Sequence, residues 1–466
     1  MTAELTTTIE FGTNRYRTIL RLAMPTVVAM LSQSVVNEID VVFFARLPSP
    51  EGSNGQAALL PSLIILWFFG GSLCAVSVGA QALTARRYAE GDCRGAGAVL
   101  TNAAWFSLLA GAAASLLGYL LIPIILSFPL KGDALRIGID YSRWRLLGVT
   151  SMVMTMGIKA FFDGIGKTHV HLVAAIIMNA FNVLFCWLLI YGNASLGVPR
   201  MGPPGAGLSA FIATWIGLLI MLLYVKRIPS RFETFRRAHL SRTLTWSILK
   251  LSIPAGLATM TMMVGFYLFT LIVGMLDGKA VLGGAEAVNG AATTDIVEVL
   301  KLTFTACIAF GTSTATLVGQ SLGMKRPDEA SAFGWASVRL GIAIFGVVGL
   351  CEGLLFTSPI VTFISHSPAV QAAATMPLRM VGFITPIVAV AMILSEALFG
   401  AGETIFVAIA QLLLVFGCLL PMAGVLGVLA HFGLFGVWLS ACVYMVLAAI
   451  TMTVKFRGGA WKHIRL

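Results

Sequence analysis

Charge is what this sequence has least of. Asp, Glu, Lys and Arg make up 11% of its 466 residues, where a soluble protein carries about 25%. A water-soluble globule with so few charges could not cover its surface, and 58% of the chain is apolar. An ordinary cytosolic enzyme and a disordered chain are thereby excluded. Acidic residues are scarcer than basic ones, 20 against 31, giving a net charge of +11. In a soluble protein that excess would suggest a nucleic-acid partner. Here the basic residues cluster between apolar runs, so no nucleic acid is expected. The seven cysteines form no CxxC pair and six lie in apolar stretches, which supports neither a disulfide framework nor a zinc site. The six histidines show no metal spacing. A GxxxxGK[ST] phosphate loop is missing, so no ATPase is built into the chain. No converging nucleophiles, metal ligands or cofactor motif suggest an enzyme or a cofactor. Residues 1–20 lack the apolar core and cleavage site of a secretory signal, so the first span is expected to act as the anchor.

What is there is length of apolar chain. Residues 56–85, 95–130, 168–199, 251–276 and 404–454 contain no Asp, Glu, Lys or Arg. A bilayer core needs about 20 residues of helix and a spanning strand only about 10, so these runs are helices. Twelve spans are predicted: 22–46, 57–82, 98–127, 136–162, 168–192, 205–226, 247–276, 287–321, 331–358, 371–400, 404–427 and 434–455. The expected fold is all-α integral membrane. Nineteen basic residues fall in loops on one side and five on the other, so both termini should be cytoplasmic. The basic connection 227–246 divides the chain into an N-terminal lobe, 1–226, and a C-terminal lobe, 247–466.

The halves repeat each other. LRLAMPTVVAM (20–30) matches LKLSIPAGLAT (249–259), setting Pro25 opposite Pro254. Gly79 and Gly91 match Gly311 and Gly323. FFDGIGKT (161–168) matches ALFGAGET (397–404), and GPPGAGLSA (202–210) matches GLFGVWLSA (433–441). Six is an even number of spans, so the repeat is parallel, with both lobes oriented alike.

These residues, with VVNEIDVVFFARL (35–47) in the first span and GQSLG (319–323), resemble the multidrug and toxic compound extrusion (MATE) family over roughly residues 15–455. The resemblance implies a twelve-helix antiporter, in two six-helix lobes, that expels small organic compounds, often cationic, in exchange for protons or sodium. It also implies a working monomer in the cell (inner) membrane. Asp40 matches the family's coupling aspartate, with Asn37 one turn before it and Asn182 matching an asparagine near it. Two departures stand out. Cys186 occupies a second acidic position, and Ala210 replaces a threonine, although Thr214 lies one turn on. A thiol is a poor sodium ligand, which favours protons over sodium. In the second half, Met262 and Val388 stand where one branch of the family carries acids.

A carboxylate inside the membrane costs several kcal/mol unless paired, hydrated or protonated, roughly 3 kcal/mol on insertion scales. Each such residue therefore needs a reason. A buried carboxyl favours its neutral form and a hydrated one its charged form, the property a proton-coupled Asp40 requires; a structural carboxylate is the other reading. Asp295, Glu298 and Lys301 lie on the eighth span, where the first half has Leu63, Leu66 and Phe69. They read either as a substrate or proton site, or as an ion pair that orders the bundle. Glu352 and Glu396 are further candidates, Glu396 near a boundary turn. Met262 and Tyr267 could line a substrate cavity, or fill the core. Arg143 and Arg145 are expected to snorkel to the interface. Pro25 could bend the first span or sit harmlessly in its first turn.

A secondary antiporter fits these features best. A lipid-linked sugar flippase of the wider superfamily is the alternative, and the acidic balance of the intramembrane charges counts against it. A channel fits the duplicated form less well than alternating access does.

Overall fold

A computed structural model of the chain describes residues 14–282, 287–365 and 367–464; the side chains of Asn37 and of residues 279–282 also lie outside that description. Among the described residues there is no strand, only one isolated bridge between Asn193 and Val198. Twelve helices among the described residues are long and apolar enough to cross a membrane. They are α1 (Arg15–Ala45), α2 (Glu51–Ala89), α3 (Cys93–Leu126), α4 (Gly132–Gly164), α5 (His169–Tyr191), α6 (Pro203–Lys226), α7 (Arg242–Gly278), α8 (Val288–Gly323), α9 (Pro327–Leu355), α10 (Pro368–Ala401), α11 (Thr404–Leu429) and α12 (Gly433–Gly458). Each of the twelve predicted spans overlaps one of these. Most helices run several residues past the apolar limits, because helical hydrogen bonding continues into the interfacial region while hydropathy stops at it.

The chain forms two compact units. One is residues 24–256; the other is 257–464 with residues 14–23 of α1. The connection 227–246 packs on α3 of the first unit. Asn102 Nδ2 donates to the His239 carbonyl at 2.8 Å, and its Oδ1 accepts from the Ser241 amide at 2.9 Å and the Thr245 hydroxyl at 3.0 Å. Gly97 lies so close to the Phe232 carbonyl that an added Cβ would come within 1.8 Å of its oxygen.

The repeat extends to backbone conformation. Gly166 and Gly402, in the GIGKT and GAGET turns, have φ of 75° and 92°. Gly202 and Gly433, ahead of α6 and α12, have φ of 63° and 59°. Glycine alone enters that region without a Cβ penalty, so the same residue recurs at the same turn. The third pair diverges. Gly91 takes positive φ after α2, but after α8 the positive φ falls on Lys325, and Gly323 remains helical.

Pro25 lies in the interior of α1 and Pro254 in the interior of α7. Neither is in a first turn, so the harmless first-turn placement of Pro25 does not hold. A proline there deprives the carbonyl one turn earlier of its helical partner. Asp277 on α7 caps α8: its Oδ1 accepts from the Asn289 amide at 3.1 Å and Nδ2 at 2.8 Å, and its Oδ2 from the Gly290 amide at 2.7 Å. Amides of a first helical turn have no intrahelical acceptor, so a buried carboxylate supplies one.

Candidate functional site

Asp40 lies five residues before the end of α1 and is 6% exposed. Tyr141 and Arg145, one turn apart on α4, converge on it from one side. The Tyr141 hydroxyl and Arg145 Nη1 each donate to Asp40 Oδ2 at 3.1 Å. Arg145 Nη1 also donates to the Tyr141 hydroxyl oxygen at 2.6 Å. From the other side, the Cys186 thiol of α5 donates to Asp40 Oδ1 at 3.4 Å. Both carboxylate oxygens are thus occupied by donors, and the charge is matched by a guanidinium whose side chain is 14% exposed. Burying a charge without such a partner would cost several kcal/mol, roughly 3–5 when one member of a pair is removed.

The interfacial expectation for Arg145 is corrected by this pair. Its guanidinium turns inward because Asp40 offers a buried counter-charge. Arg143, two residues away, lies instead over the Tyr119 ring at 5.0 Å. The signal for Arg145 was present in YSRWRLL, where Tyr141 and Arg145 stand four apart on one face. Asn182 is half-buried one turn before Cys186 on α5 and makes no hydrogen bond with Asp40 among the described residues. The side chain of Asn37 lies outside the described residues. Among the described residues no group of three His, Cys, Asp or Glu could hold a metal ion.

The second unit presents its candidates separately. Lys301 Nζ pairs with Glu298 Oε2 at 2.9 Å. Asp295, one turn earlier, has Oδ2 buried without a hydrogen-bond partner. The Thr303 hydroxyl donates to Glu352 Oε1 at 2.6 Å, while Glu352 Oε2 is buried without a partner. Glu352 sits in a π-helical turn at 351–355, held against α10 where Gly353 and Gly382 meet backbone to backbone. Glu396 is half-buried on α10, facing Gly311 of α8. Met262 accepts the Tyr444 hydroxyl at 3.1 Å and joins the apolar core of this unit, whereas Tyr267 is 56% exposed. The structure therefore pairs Glu298 with Lys301 and Glu352 with Thr303, but brings neither Met262 nor Tyr267 into a polar cluster.

The sequence matches the MatE family model over residues 25–188 and 254–424. Among curated relatives, the multidrug resistance protein PmpM of Pseudomonas aeruginosa is 25% identical over 96% of this chain and 92% of its own length. A probable multidrug resistance protein NorM of Mannheimia succiniciproducens is 23% identical over 94% of this chain and 92% of its own. A solved structure of MATE in the straight conformation superposes with a TM-score of 0.86 at 18% identity, covering 98% of both chains. The family match spans both halves of the repeat and includes Asp40 and Cys186, and on that ground this multi-pass membrane protein belongs to the MatE family.

Proposed function

We propose that the chain is a secondary antiporter that exports lipophilic organic cations in exchange for protons, rather than sodium, by alternating access between its two lobes. In this reading the lobes are 1–226 and 247–466, joined by the cytoplasmic linker 227–246. The protein works as a monomer in the cell (inner) membrane with both termini in the cytoplasm. Two relatives named as multidrug resistance proteins support the choice of drug-like substrates.

The observation that carries the coupling is the donor set around Asp40. A guanidinium, a phenol and a thiol all point protons at its two oxygens. These donors stabilise the ionised carboxylate, and a proton that binds there must displace one of them, so proton uptake is tied to a rearrangement of the donor set. The same set does not suit a sodium ion, which wants hard oxygens and would meet a guanidinium. The charge arithmetic then supplies exchange. With Asp40 ionised, the Asp40–Arg145 pair is neutral and tolerates an organic cation nearby. With Asp40 protonated, Arg145 keeps its charge, and a cation about 8 Å away is disfavoured by about 2 kcal/mol at an effective dielectric of about 20. Proton and substrate thus exclude each other, and their differential binding drives the conformational change.

The test is efflux of ethidium from energised cells at matched expression. Native efflux should collapse when the proton gradient is dissipated and survive removal of sodium, and Asp40→Asn should lower it about tenfold or more. Efflux that follows the sodium gradient, or full activity of Asp40→Asn, would overturn the reading.

A further inference from the structure

The first unit holds a second buried charge pair, at the C-terminal end of α4, beyond Arg145. Lys159 Nζ donates to Asp163 Oδ2 at 2.6 Å. Lys159 is 6% and Asp163 1% exposed. His171, near the start of α5, is 4% exposed and lies within electrostatic reach of Lys159. Its Nδ1 is buried without a hydrogen-bond partner. By the repeat, the counterparts are Ser395, Phe399 and Val407. The cluster is therefore an addition to the first half and no part of the shared scaffold.

Spacing ties this cluster to the Asp40 site. Tyr141, Arg145, Gly148, Ser151, Thr155, Lys159 and Asp163 follow one another at intervals of three or four residues. Such intervals keep side chains on one face of a helix. From Arg145 to Asp163 the stripe runs about 27 Å at about 1.5 Å per residue, close to the thickness of a bilayer core of about 30 Å. Between the two charge pairs the stripe carries hydroxyls. Ser151 donates to Thr214 Oγ1 of α6 at 2.9 Å, and Thr155 Oγ1 is buried without a partner. Buried hydroxyls are normally satisfied by protein or by ordered water, so an orphaned one in mid-stripe marks a place for water. A structural ion pair alone would need neither the stripe nor the unpartnered imidazole.

We propose that Asp163, Lys159 and His171 form a second proton site, through which the proton delivered at Asp40 leaves toward the side of the basic GIGKT turn, passing along the α4 stripe by way of hydroxyls and water. This rests on the proton-antiport reading. Each hop between oxygens breaks one O–H bond and forms another, and the hop onto the imidazole breaks an O–H bond and forms an N–H bond. Asp163 takes up the proton and releases the Lys159 ammonium. Water carries the proton on to the His171 imidazole, whose neutral form accepts it at a ring nitrogen, and the imidazolium returns it to water. Other titratable groups at this end include Arg86 and Tyr88 of α2, with Glu90 acting on Arg86 and Arg231 on Tyr88, Cys93 of α3, His169 of α5 with Lys167 before it, and Tyr224 of α6.

The test uses the full-length protein in proteoliposomes with ethidium as the probe. Two readings are taken on the same vesicles: accumulation driven by an imposed pH gradient, and ethidium exchange without a gradient. The double variant Lys159→Met/Asp163→Asn removes both charges while keeping side-chain size, a change that buried pairs often tolerate. Gradient-driven accumulation should fall about tenfold or more, with exchange within about twofold of native. His171→Gln should slow accumulation and flatten its dependence on pH at the GIGKT side. Equal loss of both readings, or loss of neither, would make the pair structural and overturn the proposal. An unchanged pH dependence in His171→Gln would remove that residue from the route. A native protein without gradient-driven accumulation, or a fully active Asp40→Asn, would be a failure of the antiport reading itself, and the second site would fall with it.

Discussion

Asp40 and Arg145 illustrate how one residue's meaning depends on another's direction. A lone carboxylate in an apolar span is conspicuous in any sequence, because its burial must be compensated. A long basic side chain near a span end is not, since it reaches the interface as readily as the core. The structure turns Arg145 inward onto Asp40 at 3.1 Å. Arg145→Met should therefore destabilise the protein by about 3–5 kcal/mol, whereas Asp40→Asn/Arg145→Met, which removes both charges, should recover much of that loss. Thermal unfolding in detergent measures both, and additive losses would deny the pairing. Cys186 donates a weak thiol hydrogen bond at 3.4 Å. Cys186→Ser should keep activity within about threefold, because a hydroxyl can donate to the same oxygen; ethidium efflux reports it.

Helices carry information at their interruptions. Pro25 and Pro254 stand opposite each other in the repeat, in the interiors of α1 and α7. Each lies within a turn of the point where its helix passes from one unit to the other. The missing hydrogen bond makes that turn easier to bend. Pro25→Ala and Pro254→Ala should raise melting temperature and, if the proposed alternating access bends these helices, slow efflux about fivefold or more, since a restored bond stiffens them. Asp277 is the corresponding device at a helix start. Asp277→Ala removes acceptors for the amides of Asn289 and Gly290 and should cost about 1–2 kcal/mol, visible as a lower melting temperature. Gly349 and Gly353 of α9, four apart, meet Gly382 of α10 so closely that an added Cβ at 349 would come within 2.2 Å of the Gly382 carbonyl oxygen. Small residues at this spacing let helix backbones touch in a membrane, where packing replaces the hydrophobic driving force. The same contact holds the turn that carries Glu352.

For the molecule as a whole, the basic residues set the expected orientation. Ion pairs within the second unit join Arg15 to Glu329, Lys462 to Asp328 and Lys455 to Glu403. They gather the start of α1, the start of α9, the end of α12 and the α10–α11 turn on one face of that unit. If that face is cytoplasmic, a fluorescent protein fused to the C-terminus should be bright and an exported phosphatase fused there inactive. Exposed pairs of this kind add little stability, about 0–1 kcal/mol each. Their weight here is in registering helix ends.

The number of spans, the helical class, the duplication and the need of a buried Asp40 for compensation were legible in the sequence, because each depends on local hydropathy, on spacing or on a single costly charge. Gly166 and Gly402 announced equivalent turns for the same reason: a local backbone requirement selects the residue. What only the tertiary structure decided is which charges meet. Arg145 could have faced outward, Asp163 read only as part of a repeat motif, and Lys159 and Asp277 stood unremarked. Arg145 and Asp277 acquired their roles from partners on other helices, and a one-dimensional pattern carries the spacing of charges along a helix but not the rotation that aims them.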